Sequence, residues 1–129
     1  MSVDFVSLGL VCADVMVRPI EEFPERGKLS LVPHLEIHLG GLAGVTATVF
    51  CQLGGKAAFI GKVGIDGFGD YILQAMQAEG VDCAGVRREK ETGSAAMVVL
   101  VSEDGERTFL HHPGASRNFS EEDVDFDLI

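Results

Sequence analysis

The chain has no tryptophan, one tyrosine, four prolines and three cysteines in 129 residues, and only 10 lysines and arginines against 20 aspartates and glutamates. Each shortage excludes something. The net charge of −10 opposes nucleic acid or an anionic membrane as partner, because both are held through basic patches. No apolar run approaches the ~20 residues of a bilayer span. The opening Met-Ser-Val-Asp-Phe-Val has no basic n-region of a secretory signal, so a cytoplasmic protein is the expectation. Cys12, Cys51 and Cys83 are odd in number, widely spaced and free of any CxxC pair. They indicate neither a zinc site nor a disulfide framework, and read as small buried hydrophobes. The histidines offer no metal pair. His34 and His38 alternate with apolar residues on an expected strand, and the adjacent His111 and His112 point their rings to opposite sides.

What is abundant is glycine, 16 residues, in a chain that is 47% hydrophobic. That composition fits one globular α/β domain able to bury a core. The stretch from Gly40 to Asp70 organises it. Leu35 to Leu39 alternates as a strand and runs into Gly40-Gly41, a pair that lets the backbone turn sharply and approach a ligand closely. Ala43, Ala47, Val49, Phe50 and Leu53 then recur at helical spacing and end at Gly54-Gly55, a C-cap signal. Ala57 to Ile60 reads as a short buried strand. Gly61, Gly64, Gly67 and Gly69 break the chain before a helix from Tyr71 to Glu79, buried through Ile72, Leu73 and Met76, with Val81 beyond it, and closed by Gly80. Gly64 to Asp70 is the reverse of a dinucleotide fingerprint and lacks the alternating acids of a calcium loop. Asp66 is therefore expected to cap that helix, with Asp70 favourable in its first turn.

Around this stretch the pattern gives a first strand over Val3–Leu8, after which Gly9 to Asp14 carries the chain off the strand end. Val15-Met16-Val17 is expected as a strand stopped by Pro19, Glu21–Lys28 as a polar loop, and Leu29–Leu39 as the next strand. Val86–Glu91 reads as a charged connection and Thr92–Val101 as a long strand. Glu103–Glu106 carries the Asp-Gly hairpin signal, with Arg107–His111 returning. Ser120 with Asp123 forms a capping-box start, and Asp125–Ile129 reads as the approach to another strand.

The run GGLAGVTATVFCQLGG followed by AAFIGKVGIDGFGDYILQAMQAEGVD resembles the first signature region of the ribokinase-like (PfkB) carbohydrate kinases. Asp14, Thr92-Gly93, Gly105 to Phe109 and Pro113-Gly114-Ala115 agree with that family over essentially the whole chain. The resemblance implies a Rossmann-like three-layer α/β fold, residues 1–129 being its N-terminal part, with a small inserted β-lid at about 15–39 and 95–112. It implies a sugar as substrate and ATP with Mg²⁺ as cofactors; exposed edges of the lid strands are templates for strand pairing, so a homodimer through them is an expectation. It places a sugar-hydroxyl acceptor at Asp14 and the ligand-facing turn at Gly40 and Gly41. Ala96 and Met97, as lid residues that face the sugar or only pack the lid, and His112 follow as candidate substrate contacts. Val45 stands where the family usually carries an asparagine that contacts the sugar. Valine cannot make that contact, so Thr46 or Thr48 replaces it or the substrate is read differently.

The resemblance also implies a catalytic Gly-Ala-Gly-Asp turn that supplies base and anion hole. No Gly-Ala-Gly-Asp turn and no P-loop occurs in residues 1–129, so the chain is expected to carry the substrate half and lid but no catalytic residue, and to be inactive alone. Two other readings stand beside this one: a non-catalytic sugar-binding or assembly module that ends at residue 129, and a nucleoside kinase of the same family.

Overall fold

In the computed structural model, which describes residues 2–129, the first strand β1 (Phe5–Leu8) pairs not with its neighbour in sequence but with β4 (Ala57–Gly64). That pairing is parallel, with Phe5 opposite Ala57 and Leu8 opposite Ile60. Beyond β4 lies β5 (Val86–Glu89), again parallel. Two helices make the crossovers, α1 (Leu42–Gln52) and α2 (Gly67–Ala78). Both crossovers step across the sheet in the same direction, so the right-handed rule sets both helices on one face. There Val11, Ala47, Phe59, Val63, Ile72, Met76 and Val81 close the core.

Every residue of β4 except Lys62 is buried, as a central parallel strand requires. Its second face is covered by the last segment of the chain. A Cβ on Gly85 would meet Ile60 Cγ1 at 2.9 Å and Leu128 Cδ1 at 3.1 Å. Lys62 Nζ reaches Asp123 Oδ1 at 2.9 Å, and the Lys62 ammonium, helped by the Ser120 amide, holds the Asp123 carboxyl below the usual carboxylate range. The layers are therefore helices, sheet and C-terminal segment, which includes the short helix α3 (Gly114–Arg117).

A second sheet grows out of this core. Its order is β3-β2-β6-β7, built from β2 (Cys12–Ile20), β3 (His34–Gly40), β6 (Ala96–Ser102) and β7 (Arg107–His112). The β2–β3 and β6–β7 pairs are antiparallel, and β2 joins β6 in parallel.

Several expected boundaries move. Asp14 is not in a loop after a strand; it is the third residue of β2, which pairs on both sides and runs on through Pro19. The strand expected over Leu29–Leu39 begins only at His34, since Pro33 has no N–H to give a ladder and Leu29 and Leu31 lie almost fully exposed. Val86–Glu89 is a strand rather than a connection, because the edge of β4 takes its backbone despite its charges. Thr92–Ala95 is not strand, because Ser94 turns inward to bond Asp66. Residues 126–128 form a 3₁₀ turn where a strand approach was expected, tied by the Asp125 side chain to the Asp127 N–H. Gly61 and Gly64 lie inside β4 rather than breaking the chain. Helix α1 buries Gly44, Ala47 and Thr48 and leaves Val49 and Leu53 exposed. Close approach explains that choice: a Cβ on Gly44 would come within 2.5 Å of Val11 Cγ2.

The helix cap at Asp66 is as expected and reaches further. Its Oδ1 accepts from the Gly69 N–H at 2.8 Å and from the Ser94 hydroxyl at 2.6 Å, and its Oδ2 accepts from the Ser94 N–H at 2.8 Å. The Ser94 Oγ in turn accepts from the Gly64 N–H at 2.9 Å. Arg88 bonds the Gly64 carbonyl at 3.0 Å and Asp70 at 2.6 Å. Partial burial pushes the Asp66 carboxyl up, but the bonds from Ser94 and Gly69 and the charge of Arg88 outweigh it and hold the group low.

Ser94 is 1% exposed, so Ser94→Ala strands the Gly64 amide and one Asp66 lone pair while keeping the backbone bond to Oδ2; it should cost about 1–3 kcal/mol in urea unfolding. A depressed Asp66 binds fewer protons folded than unfolded. Its contribution is therefore complete above the unfolded value of about 3.9 and lost as pH falls through the folded one. Asp66→Asn should flatten the fall of stability with pH across that acid window, measured as unfolding midpoint against pH.

Candidate functional site

The hollow that gathers the expected substrate contacts lies where β2 leaves the core and α1 begins. It has a volume of about 520 Å³ and is lined by Leu10, Cys12, Asp14, Leu39, Gly40, Gly41, Leu42, Val45, Thr46, Met97 and His111. Asp14 supplies its carboxylate. Across the sheet Asp14 is opposite His38 on β3 and Met97 on β6, and Met97 is opposite His111 on β7. Cross-strand partners share a side, so these four form one row.

The glycine pair is needed for two different reasons. A Cβ on Gly40 would stand 2.5 Å from Asp14 Cγ, so the missing side chain is the space the carboxylate occupies. Gly41 has φ 87°, and a Cβ there would lie 2.5 Å from Val11 Cα and 2.7 Å from the Leu10 carbonyl oxygen. That carbonyl accepts from the Ala43 and Gly44 amides at 3.1 and 3.2 Å, which fastens the start of α1 directly to the β1–β2 connection. No side chain caps this helix at Gly41.

Cys12 is buried, and its thiol donates to Asp14 Oδ1 at 2.9 Å. Burial first, then the bond to Asp14 and its negative charge, push the thiol up to about 12. Burial likewise raises Cys83, to about 11, with Asp82 and Cys51 adding to it. All three cysteines are free. On α2, Tyr71 donates its hydroxyl to the Ile37 carbonyl at 3.1 Å, and burial, then the Asp14 charge, raises its ionisation. At the outer end of the row, Glu36 bonds His38 at 2.8 Å and Arg18 at 3.1 Å, and these two hold its carboxyl low, His38 first.

Of the six positions singled out from the sequence, Asp14, Gly40, Gly41 and Val45 come together here. Ala96 and His112 do not join them. They are cross-strand partners of each other and line a neighbouring hollow of about 410 Å³ with Val15, Phe68, Val98 and Leu110, Met97 and His111 being shared by both hollows. By strand alternation their side chains follow the opposite side from Asp14 and Met97. Thr48 is buried with its hydroxyl on the Gly44 carbonyl at 2.9 Å, so it does not stand in for Val45. Thr46 does line the hollow, and its hydroxyl proton goes to the Leu42 carbonyl at 2.6 Å, which leaves its oxygen free only to accept. Met97, expected with Ala96 as a lid residue facing the sugar, does line the hollow; Cys12 and His111 were missed. The i, i+2 step from Cys12 to Asp14 was readable; the β2–β6 register that brings Met97 and His111 alongside was not. No group of three or more metal-ligating side chains occurs among the described residues.

Gly41→Ala meets backbone on one side and a left-handed φ on the other, worth about 1–2 kcal/mol from the dihedral alone. Gly40→Ala meets only a side chain. Urea unfolding should therefore show Gly41→Ala as the more damaging of the two, while Gly40→Ala chiefly displaces Asp14, visible as a shift of its carboxyl resonance.

The sequence profile of the pfkB family carbohydrate kinases matches residues 4–129. A probable fructokinase of Arabidopsis thaliana is 36% identical over 124 residues, 93% of this chain and 36% of that protein. The aminoimidazole riboside kinase of Salmonella typhimurium is 37% identical over 87 residues, 66% of this chain and 27% of that protein. Among solved structures, Arabidopsis thaliana ribokinase complexed with ribose and ATP superposes with a TM-score of 0.80 at 26% identity, over 89% of this chain and 37% of that one. The chain thus spans about a third of the length of these relatives. A family match over nearly every residue, together with the same fold, makes this chain a member of the pfkB family of carbohydrate kinases, with a ribokinase-like α/β fold.

Proposed function

We propose that these residues form the substrate-side part of an ATP-dependent sugar kinase, with Asp14 as the acceptor for two substrate hydroxyls. The observation that carries this is the Asp14 carboxylate beside Gly40-Gly41 at the wall of an open hollow. A carboxylate has lone pairs for more than one hydroxyl, and charge-assisted bonds of this kind fix orientation as well as affinity. The relatives named as fructokinase and ribokinase support a sugar as substrate, and the ribokinase solved with ribose and ATP supports ATP as the phosphoryl donor. Mg²⁺ would accompany the ATP. The residues here do not fit either: there is no Gly-Ala-Gly-Asp turn and no P-loop, the one G-x-G-D run, Gly67 to Asp70, is the first turn of α2 with Asp70 paired to Arg88, and the described residues hold no cluster of metal ligands. Asp14 binds and orients the hydroxyl; the phosphate chemistry belongs to residues outside this set.

The β3-β2-β6-β7 sheet is the lid in this reading. It covers the hollow through Met97 and His111 and keeps water from the reacting hydroxyl. Its edge strands β3 and β7 expose Leu35, Ile37, Phe109 and Leu110, and free edges with apolar side chains favour a homodimer through the lid. The net charge of −10 disfavours nucleic acid, and no helix among the described residues is long and apolar enough to cross a membrane. A cytoplasmic location goes with this reading.

A nucleoside is the second reading. Leu39, Leu42, Val45 and Met97 make much of the wall apolar, which suits a base, and one relative is named a riboside kinase. In the intact protein, ADP release should be seen with D-fructose or D-ribose and ATP. Asp14→Ala should raise KM for that sugar about 10–100-fold, the worth of hydrogen bonds to a charged group. Unchanged sugar kinetics would remove Asp14 from the site, and turnover confined to nucleosides would decide for the second reading.

A further inference from the structure

Resting on the sugar-acceptor reading of Asp14, we propose that Cys12 is a positioning residue for that carboxylate: its thiol occupies Oδ1 and so fixes which lone pairs face the hollow. Three observations carry this. The Cys12 Sγ to Asp14 Oδ1 distance is 2.9 Å. The two residues are i and i+2 on β2, hence on one side of the strand, and both line the same hollow. Directly opposite Cys12 on β3 is Gly40, whose absent Cβ is the space the carboxylate fills.

A carboxylate at the end of a short side chain turns easily about its last bond, because that torsion is broad. Gly40 leaves it room and does not steer it. The S–H bond is what breaks the symmetry between the two oxygens. One oxygen is engaged by the protein and the other is presented to the ligand. Cys12 is 2% exposed and its neighbours Val11 and Ala13 are also buried, so the sulfur is held by packing while the carboxylate it meets is not. Because burial and Asp14 both keep the thiol protonated, it stays a donor over the whole working range of pH. A cysteine here thus differs from the inert buried cysteine the sequence implied, and its proton does the steering.

The first test is spectroscopic and needs no substrate. The S–H stretching band assigned to Cys12 by difference against Cys12→Ala should lie lower in frequency than those of Cys51 and Cys83, and Asp14→Ala should return it to the free position. A Cys12 band at the free position in the wild type would overturn the proposal. The second test uses the intact protein with D-fructose or D-ribose and ATP. Cys12→Ala should raise sugar KM about tenfold, the scale of one hydrogen bond to a charged group, with kcat and the KM for ATP changed far less. Cys12→Ser, which keeps an O–H donor, should restore most of the loss. Should alanine leave a cavity that unfolds the chain, Cys12→Val keeps the volume and removes the donor. If Asp14→Asn raises sugar KM while Cys12→Ala and Cys12→Val do not, the positioning role is wrong and the sugar-acceptor reading stands. If Asp14→Asn leaves sugar KM unchanged, or neither sugar is turned over by the wild type, that underlying reading fails and this one with it.

Discussion

The bond from Ser94 to Asp66 is the constraint on which both halves of the structure hang. Asp66 caps α2, whose Ile72 and Met76 close the core. Ser94 sits just before β6, the strand that carries Met97 to the hollow. The Gly64 amide donating to Ser94 pins the end of β4 to the same point, and the Ala115 amide on the Gly93 carbonyl at 2.8 Å adds α3. Four segments therefore meet around two side chains. Glycine at 64 and 69 is what lets them meet, since a Cβ on Gly64 would lie 2.5 Å from the Ser94 nitrogen, and one on Gly69 would press on the Gly64 carbonyl. A cluster of this kind is either fully satisfied or costly, and here the Asp66 carboxylate accepts three hydrogen bonds while the Ser94 hydroxyl both donates and accepts. The glycine-rich loop that looks from its spacing like a ligand cradle is spent on the fold.

The hollow obeys a different economy. Its boundaries are also set by missing side chains, at Gly40 and Gly41, but there the space is left open on one side. The walls are mostly apolar, and one carboxylate with few polar neighbours stands among them. Low polarity around a charge strengthens each hydrogen bond it makes to a ligand, and raises the cost of orienting it wrongly. That is why the small departures of this chain count: a valine at 45, a thiol at 12, and a threonine at 46 whose proton is already taken.

How far the sequence spoke for this depends on the range of the interaction. The cap at Asp66, the Asp104-Gly105 hairpin and the Ser120–Asp123 box are local, involve a few residues each, and were readable; the last is present as a full box. The glycine pair was readable as a tight turn, though not that Gly40 makes room for Asp14. Strand edges were less legible. Val86–Glu89 is polar at most positions, and only the exposed edge of β4 makes it a strand. Leu29 and Leu31 are apolar and still have no strand to join. The placing of His111 rather than His112 in one row with Asp14 rests on the β2–β6 and β6–β7 registers, and no local pattern carries the parallel one.

Strand β2 begins in the core and ends in the outer sheet: Val11, Cys12 and Ala13 are almost wholly buried, while the far end opens into the exposed loop 21–33. It is a lever with one end clamped. At about 3.3 Å per residue, Asp14 lies roughly one residue's rise beyond the clamp and Ile20 about seven, some 23 Å out. A swing of the outer sheet about that point multiplies along the strand, so an angle that sweeps the loop through several ångströms leaves the acid nearly where it was. The chain has put its charged group beside the fulcrum and its bulk at the tip.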